Sequence, residues 1–181
     1  MKIRLDKLKK AAQRVVIDEP VTFFPGLLAA AEQSGVTVTT PVVGELQAVW
    51  AGDLIAVSGT LRTVVEGSCS RCLEPVRLPC TVAIELSYAP GRREPVGTES
   101  AERELDAEEM GLLPVEGDEI DLLPEIEQDL VMALPQQLLC ATECAGLCPV
   151  CGTNRNQAAC QCEKPVFHSG LAALKNFQIK E

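Results

Sequence analysis

Nine cysteines are the residues of this chain with the clearest capacity for chemistry, and six of them fall within residues 140–162. Those six are Cys140, Cys144, Cys148, Cys151, Cys160 and Cys162. The run Cys148-Pro-Val-Cys151-Gly152 suits a metal site, because two thiolates must approach one ion at about 2.3 Å and a tight turn must fold the backbone round it. Cys160 and Cys162 can complete a tetrahedral four-sulfur site with Cys148 and Cys151. The spacing therefore predicts a metal ion in the tail.

A second candidate metal-binding turn, Cys69-Ser-Arg-Cys72, lies far upstream. It can pair with Cys140 and Cys144 in a second four-sulfur site, or meet the Cys148–Cys151 turn as the other half of a zinc ribbon. A turn without metal is the third interpretation. Zinc is favoured over an iron–sulfur cluster, although four thiolates accommodate both. We therefore expect one zinc ion or two, with a thiol-based redox switch as the alternative.

The sequence offers little else that supports catalysis. It has a single histidine, His168, so a Cys–His nucleophile has weak support. It has neither a phosphate-binding glycine loop nor a dinucleotide-binding fingerprint. It also has no apolar run long enough to span a bilayer and no export signal. We expect a non-enzymatic, cytoplasmic protein with no membrane attachment and no small-molecule substrate.

Charge is distributed unevenly along the chain. The net charge is −10, but residues 94–129 hold fourteen acidic residues and one basic residue, so the remainder is mildly basic. The acidic segment is typical of a solvated loop, and it can alternatively capture a basic protein. If RNA binds, we expect phosphate contacts from basic side chains rather than base stacking, because aromatic residues make up only 3% of the chain. The candidates are Lys9, Lys10, Arg14, Arg71 and Arg77.

Five segments must position these residues. Residues 1–35 are expected to be helical, with a short helix near residues 7–14. Residues 36–89 alternate apolar and other residues between turns, which predicts an antiparallel meander with Cys69–Cys72 at the tip of a hairpin. Residues 90–118 are predicted to form an acidic, mobile excursion. Residues 119–137 supply a return strand and a helix, and residues 138–181 form the cysteine-rich metal module with a closing helix. The fold class is α+β, an antiparallel sheet or small partly open barrel with short helices and a C-terminal zinc-knuckle module.

The order of motifs resembles a known family. Cys69-Ser-Arg-Cys72-Leu-Glu-Pro-Val follows a long strand, and Asp118-Glu119-Ile120-Asp121-Leu122 comes later. The stretch from Glu127 to Leu134 is followed by Pro135, by Cys144-Ala-Gly-Leu-Cys-Pro-Val-Cys-Gly152 and by Leu171-Ala-Ala-Leu174-Lys175. From about residue 1 to residue 175, this order is similar to the bacterial YceD family, which is associated with accumulation of large-subunit ribosomal RNA. One departure is Arg155-Asn156, where many relatives carry Leu-Asn.

The resemblance implies a non-enzymatic factor in the synthesis, processing or stability of large-subunit ribosomal RNA, and hence in ribosome biogenesis. Its partner would be that RNA itself, or a ribosomal or assembly protein. A chaperone-like binding module for a basic partner is a further alternative, based on the acidic segment.

Overall fold

The computed structural model describes residues 1–90, 111–115 and 117–162, which belong to two compact units. The first unit comprises Met1–Gly67 and Arg77–Gln136. The second combines Ser68–Val76 with the chain from Gln137 onward. The tip of the predicted hairpin therefore belongs with the cysteine-rich tail.

A six-stranded sheet dominates the first unit. Its strands are β2 (Gln13–Glu19), β3 (Thr37–Val38), β4 (Val42–Ala51), β5 (Leu54–Ser68), β6 (Pro75–Pro90) and β7 (Leu112–Val115). The order is β2-β4-β5-β6-β7, with β3 also paired to β5. Only a short turn joins β5 to β6, too short for a parallel crossover, so these neighbours form an antiparallel hairpin.

Alternating burial explains the long strands. Along β5, Ile55, Val57, Leu61 and Val65 are buried, and most residues between them are more exposed. This period of two places branched apolar side chains on one face. Gly52, with φ +62°, occupies the turn between β4 and β5, a backbone conformation that side chains disfavour.

The sheet differs from the predicted meander at one edge. β7 pairs with β6 in parallel, with Ser87 opposite Leu112. Over the residues that the structure describes, the sheet is not closed into a barrel, so of the two predicted architectures the open sheet applies. The fold is mostly sheet with a few short helices.

Three α-helices, a short 3-10 helix at Val21–Phe23 and a second small sheet complete the described part of the first unit. The α-helices are α1 (Leu5–Leu8), α2 (Pro25–Gln33) and α3 (Leu123–Met132), and the small sheet is the antiparallel pair β1 (Lys2–Arg4) with β8 (Glu119–Asp121). Helices α2 and α3 are linked by Glu127, whose Oε1 accepts the backbone N–H of Gly26 at 2.6 Å. This bond satisfies an N–H at the start of α2, where helices lack internal partners. Within the described ranges, no helix is long and apolar enough to cross a membrane.

The N-terminal segment contains strands as well as helices, so the prediction for residues 1–35 was partly wrong. The expected helix at residues 7–14 is absent: α1 ends at Leu8, and β2 begins at Gln13. β2 carries consecutive branched residues, which favour strands, and it finds a backbone partner along β4. The predicted return strand and helix correspond to β8 and α3. The prediction of a mobile excursion over residues 90–118 was wrong for Leu112–Val115, which form β7 against β6. Residues 91–110 and 116, His168 and the predicted closing helix lie outside the described residues.

Candidate metal centres

The structure gathers eight cysteines of the second unit into two groups of four. Cluster A consists of Cys69, Cys72, Cys140 and Cys144, and cluster B of Cys148, Cys151, Cys160 and Cys162. Within each cluster all Sγ atoms lie within 4.8 Å of one another. The zinc-ribbon arrangement, with Cys69–Cys72 facing Cys148–Cys151, is therefore not the one adopted.

The sulfur spacing fits a tetrahedral metal site. In cluster A the Sγ atoms of Cys69 and Cys144 are 3.8 Å apart, and those of Cys72 and Cys140 are 3.5 Å apart. Four sulfurs at about 2.3 Å from one zinc ion are about 3.8 Å from each other. A disulfide bond would require about 2.05 Å, and all nine cysteines are free. The donor set thus matches a closed four-thiolate centre.

The two Cys-x-x-Cys turns share one backbone design. In cluster A, Leu73 N–H donates to the Cys69 carbonyl at 2.9 Å, and Cys69 N–H donates to the Glu74 carbonyl at 2.8 Å. In cluster B, Gly152 N–H donates to the Cys148 carbonyl at 2.9 Å, and Cys148 N–H donates to the carbonyl two residues after Cys151, also at 2.8 Å.

In both turns the residue after the second cysteine is left-handed. Gly152 has φ +74°, and Leu73 has φ +62°, the only positive φ of a non-glycine residue in the described part of the chain. Leucine pays a steric penalty in this conformation that glycine avoids. Leu73 therefore adopts the same left-handed conformation as Gly152, although leucine disfavours it.

Arg71 ties the two segments of the second unit together around cluster A. Its Nη1 donates to the carbonyl of Cys144 at 3.0 Å and to that of Thr142 at 3.3 Å. Its own carbonyl accepts Leu147 N–H at 3.0 Å. Gly146, with φ +70°, passes so close that an added Cβ would lie 3.0 Å from the Arg71 carbonyl oxygen. Arg71 therefore positions the loop that carries the ligands.

Asn156 is a site residue that sequence reasoning missed. Its Nδ2 donates to Cys144 Sγ at 3.3 Å and to Asn154 Oδ1 at 2.9 Å, and its Oδ1 accepts Ala145 N–H at 2.8 Å. Such partners orient metal ligands and stabilise thiolate charge. The available signal was the Arg155-Asn156 pair, which stands where the family pattern places Leu-Asn.

The thiols of cluster A differ in acidity. Burial opposes ionisation of Cys69, but backbone N–H groups, including that of Arg71, lower its pKa to about 6. The pKa of Cys140 is raised to about 12, first by its interaction with the Cys144 sulfur. Adjacent thiolates repel one another, so only a cation allows all four sulfurs to ionise together.

Cluster B also contains thiols of lowered and of raised pKa, and it is more open to solvent than cluster A. The Thr153 hydroxyl, 3.2 Å from Cys151 Sγ, lowers the pKa of Cys151 to about 6. The pKa of Cys162 is raised to about 12, first by the interaction of its sulfur with Cys151. Cys151 and Cys162 are exposed, whereas three of the four cluster A cysteines are buried. Cluster B is the more accessible of the two centres.

Four of the five predicted phosphate-contacting residues already interact within the chain. Lys9 Nζ lies 5.5 Å from the centre of the Trp50 ring, and Arg14 forms an ion pair with Glu45. Arg77 pairs with Glu66 at 3.1 Å, Arg71 holds the cluster A loop, and Lys10 is exposed. Their proposed contact with nucleic acid stays a prediction.

The fold and clusters define a class: a mostly β unit joined to a unit organised by two cysteine tetrads positioned to bind metal ions. The family model described as "Large ribosomal RNA subunit accumulation protein YceD" matches residues 57–178. The chain belongs to this family, and the resemblance drawn from the motifs is confirmed.

Several curated proteins are similar to this chain. A protein of Zea mays named "Large ribosomal RNA subunit accumulation protein YCED homolog 1, chloroplastic" is 26% identical over 80% of this chain and 56% of its own length. The Arabidopsis thaliana protein of the same name is 24% identical over 77% of this chain and 49% of its own length. An uncharacterised protein of Mycobacterium bovis is 32% identical over 54% of this chain and 44% of its own length. The chain thus spans about half the length of these relatives. No solved structure matches it.

Proposed function

We propose that this chain is a non-enzymatic factor that supports the synthesis, processing or stability of large-subunit ribosomal RNA. Membership of a family described by the accumulation of that RNA carries the proposal. The names of the maize and Arabidopsis relatives agree with it. Its partner would be the RNA, or a ribosomal or assembly protein, in the cytoplasm.

We also propose that each cluster holds one structural zinc ion. Four thiolates leave no coordination position for a substrate, which is typical of structural rather than catalytic zinc sites. Within the part of the second unit that the structure describes, the apolar packing around cluster A is small, with Val76, Leu139 and Leu147 against three buried cysteines. A metal ion would supply the folding free energy that so small a core cannot.

Gene deletion tests the ribosomal role. In cells that encode this chain, we expect deletion to lower the ratio of large- to small-subunit ribosomal RNA. The wild-type gene and a Cys80→Ser gene should restore the ratio, because Cys80 belongs to neither cluster. A Cys72→Ser gene should restore it poorly. An unchanged ratio after deletion would refute the proposal.

Elemental analysis tests the metal. We expect about two zinc ions per purified chain and about one in Cys72→Ser or Cys151→Ser, since each change removes one ligand from one cluster. Cys80→Ser should keep about two. Iron in place of zinc, or a folded chain without metal, would contradict the assignment.

The exposure of cluster B favours a second candidate, a thiol-based redox switch. Exposed thiols of lowered pKa are the ones that oxidants reach first. Under this alternative, mild peroxide should release one zinc ion reversibly and leave cluster A filled. Resistance of cluster B thiols to oxidation would exclude it.

A further inference from the structure

A cavity of about 460 Å³ in the first unit is separate from both cysteine clusters. Its lining includes Tyr88 from β6, Asp118, and the acidic residues Asp121 and Glu125 at β8 and α3. Pro114 and Val115 add an apolar wall. Lys2 is the one basic residue of the lining, and its ammonium pairs with Glu119, so the cavity is mainly acidic on one side and apolar on another.

Tyr88, a residue of the cavity lining, carries an unsatisfied polar group. The side chain is 3% exposed, and its hydroxyl has no hydrogen-bond partner among the described residues. A buried hydroxyl without a partner costs free energy, because it loses its hydrogen bonds to water and gains none from the protein. Burial and the nearby charges of Glu125, Asp121 and Asp129 raise its pKa, so the hydroxyl stays protonated and can accept a hydrogen bond.

The carboxylates of the cavity are not equally available. Asp121 Oδ1 already accepts the N-terminal ammonium and Leu123 N–H, each at 3.1 Å. Glu119 lies 3.6 Å from the ammonium of Lys2. Glu125 has no ion pair within the described ranges, and burial together with the charges of Asp121 and Asp129 raises its pKa. Asp118 and Glu125 are therefore the lining carboxylates without an ion pair among the described residues, and Glu125 is the one whose charge acts most strongly on Tyr88.

Beyond the proposed ribosomal role, we infer that this cavity binds the guanidinium or ammonium side chain of a basic polypeptide, held between the Tyr88 hydroxyl and the Glu125 carboxylate. A guanidinium has several N–H donors in a plane, so it can serve both groups at once. Its aliphatic stem fits the apolar wall. A small divalent ion fits less well, because it demands several free oxygen ligands and Asp121 is already engaged.

Peptide binding to the intact chain tests the inference. The probe is a fluorescein-labelled peptide of alternating arginine and glycine, measured by anisotropy at about 0.15 M salt, where long-range attraction is screened. We expect Glu125→Gln to weaken binding about tenfold and Tyr88→Phe about fivefold, because charge-assisted and neutral hydrogen bonds are lost. The control Glu85→Gln removes the same charge from an exposed position on β6, outside the lining, and should change binding less than twofold. Equal effects of Glu125→Gln and Glu85→Gln would overturn the inference.

The single tyrosine of the chain provides a direct readout. With ¹³Cζ-labelled tyrosine, the peptide should shift one resonance, and a peptide with glutamine replacing arginine should not. Spermidine and Mg²⁺ are titrated separately as alternative cations, to test whether the cavity prefers them to a polypeptide side chain. If either shifts this resonance at lower concentration than the peptide, the assignment to a polypeptide side chain is wrong. An unshifted resonance under saturating peptide also overturns it.

Discussion

Asn156 shows how one uncharged side chain can act on a candidate metal ligand without being a ligand itself. It joins Cys144 Sγ to Asn154 and to the backbone of Ala145. Burial opposes ionisation of Cys144, but the Asn156 amide is the first of the groups that lower its pKa. The Asn156 amide therefore orients Cys144 Sγ and favours the thiolate that a metal needs.

Replacing Asn156 should therefore weaken metal binding at cluster A. We expect Asn156→Ala to lower zinc affinity about tenfold, in the range measured for such supporting residues. Competition with a chromophoric chelator measures it. The neighbouring Gln157→Ala serves as a control, because Gln157 Nε2 donates to Glu74 and not to a sulfur. Equal affinities of the two variants would show that the amide has no such role.

The two Cys-x-x-Cys turns make a prediction at the level of the element. Leu73 is 64% exposed, so Leu73→Gly loses little burial and removes a left-handed leucine. We expect this variant to be as stable as the wild type or more stable by up to about 1 kcal/mol. Gly152→Leu should destabilise the cluster B turn by about 1–2 kcal/mol. Chelator-induced unfolding measures both, and changes of the same sign would contradict the shared design.

The cavity elements, β8 and α3, should give opposite pH dependences. Despite burial, the Leu123 N–H and the N-terminal ammonium lower the pKa of Asp121, so its stabilisation is present above its ordinary value of 3.8 and is lost as pH falls through the folded value. Burial raises the pKa of Glu125 from 4.5, so the stability gained by its protonated form is lost as pH rises through the folded value. At pH 7, Glu125→Gln should therefore raise the thermal midpoint, and Asp121→Asn should lower it.

Circular dichroism melts between pH 3 and pH 8 test this pair of variants. The gain of Glu125→Gln should disappear below about pH 4, where the wild-type carboxyl is protonated too. The loss of Asp121→Asn should shrink over the same acidic range. A constant difference at every pH would indicate packing effects instead of titration.

Elements with strong periodicity could be predicted from the sequence, and long-range pairings could not. The β5–β6 hairpin and α3 follow from alternating or helical apolar spacing. The spacing of Cys148 and Cys151 also predicts that they share one ion. It does not predict whether Cys72 lies beside Cys140 or beside Cys148, because that pairing depends on where distant segments meet. Tertiary contacts likewise determine the parallel pairing of β7 with β6. They also determine that residues 13–19 form the strand β2, which pairs with β4.

At the scale of the whole molecule, metal removal should affect the two units differently. The first unit has its own apolar core, which includes Phe24, Leu46 and Ile84. Among its described residues, the second unit has little apolar packing apart from its clusters. We expect a chelator with reductant to abolish amide protection in residues 68–76 and 137–162 and to preserve it in β4 and β5. Hydrogen exchange measures this, and loss of protection in both units together would contradict it.

The interleaving of the two units sets an order of events during synthesis. Cys72 and Cys140 of cluster A are separated by 68 positions, most of which belong to the first unit. The ribosome must therefore release nearly the whole sheet before the last ligand of cluster A, Cys144, exists. Throughout that interval the nascent chain contains Cys69 and Cys72 without the other two cysteines of cluster A. If cluster A binds zinc as proposed, the supply of zinc at the end of translation, rather than at its start, would decide when the second unit folds.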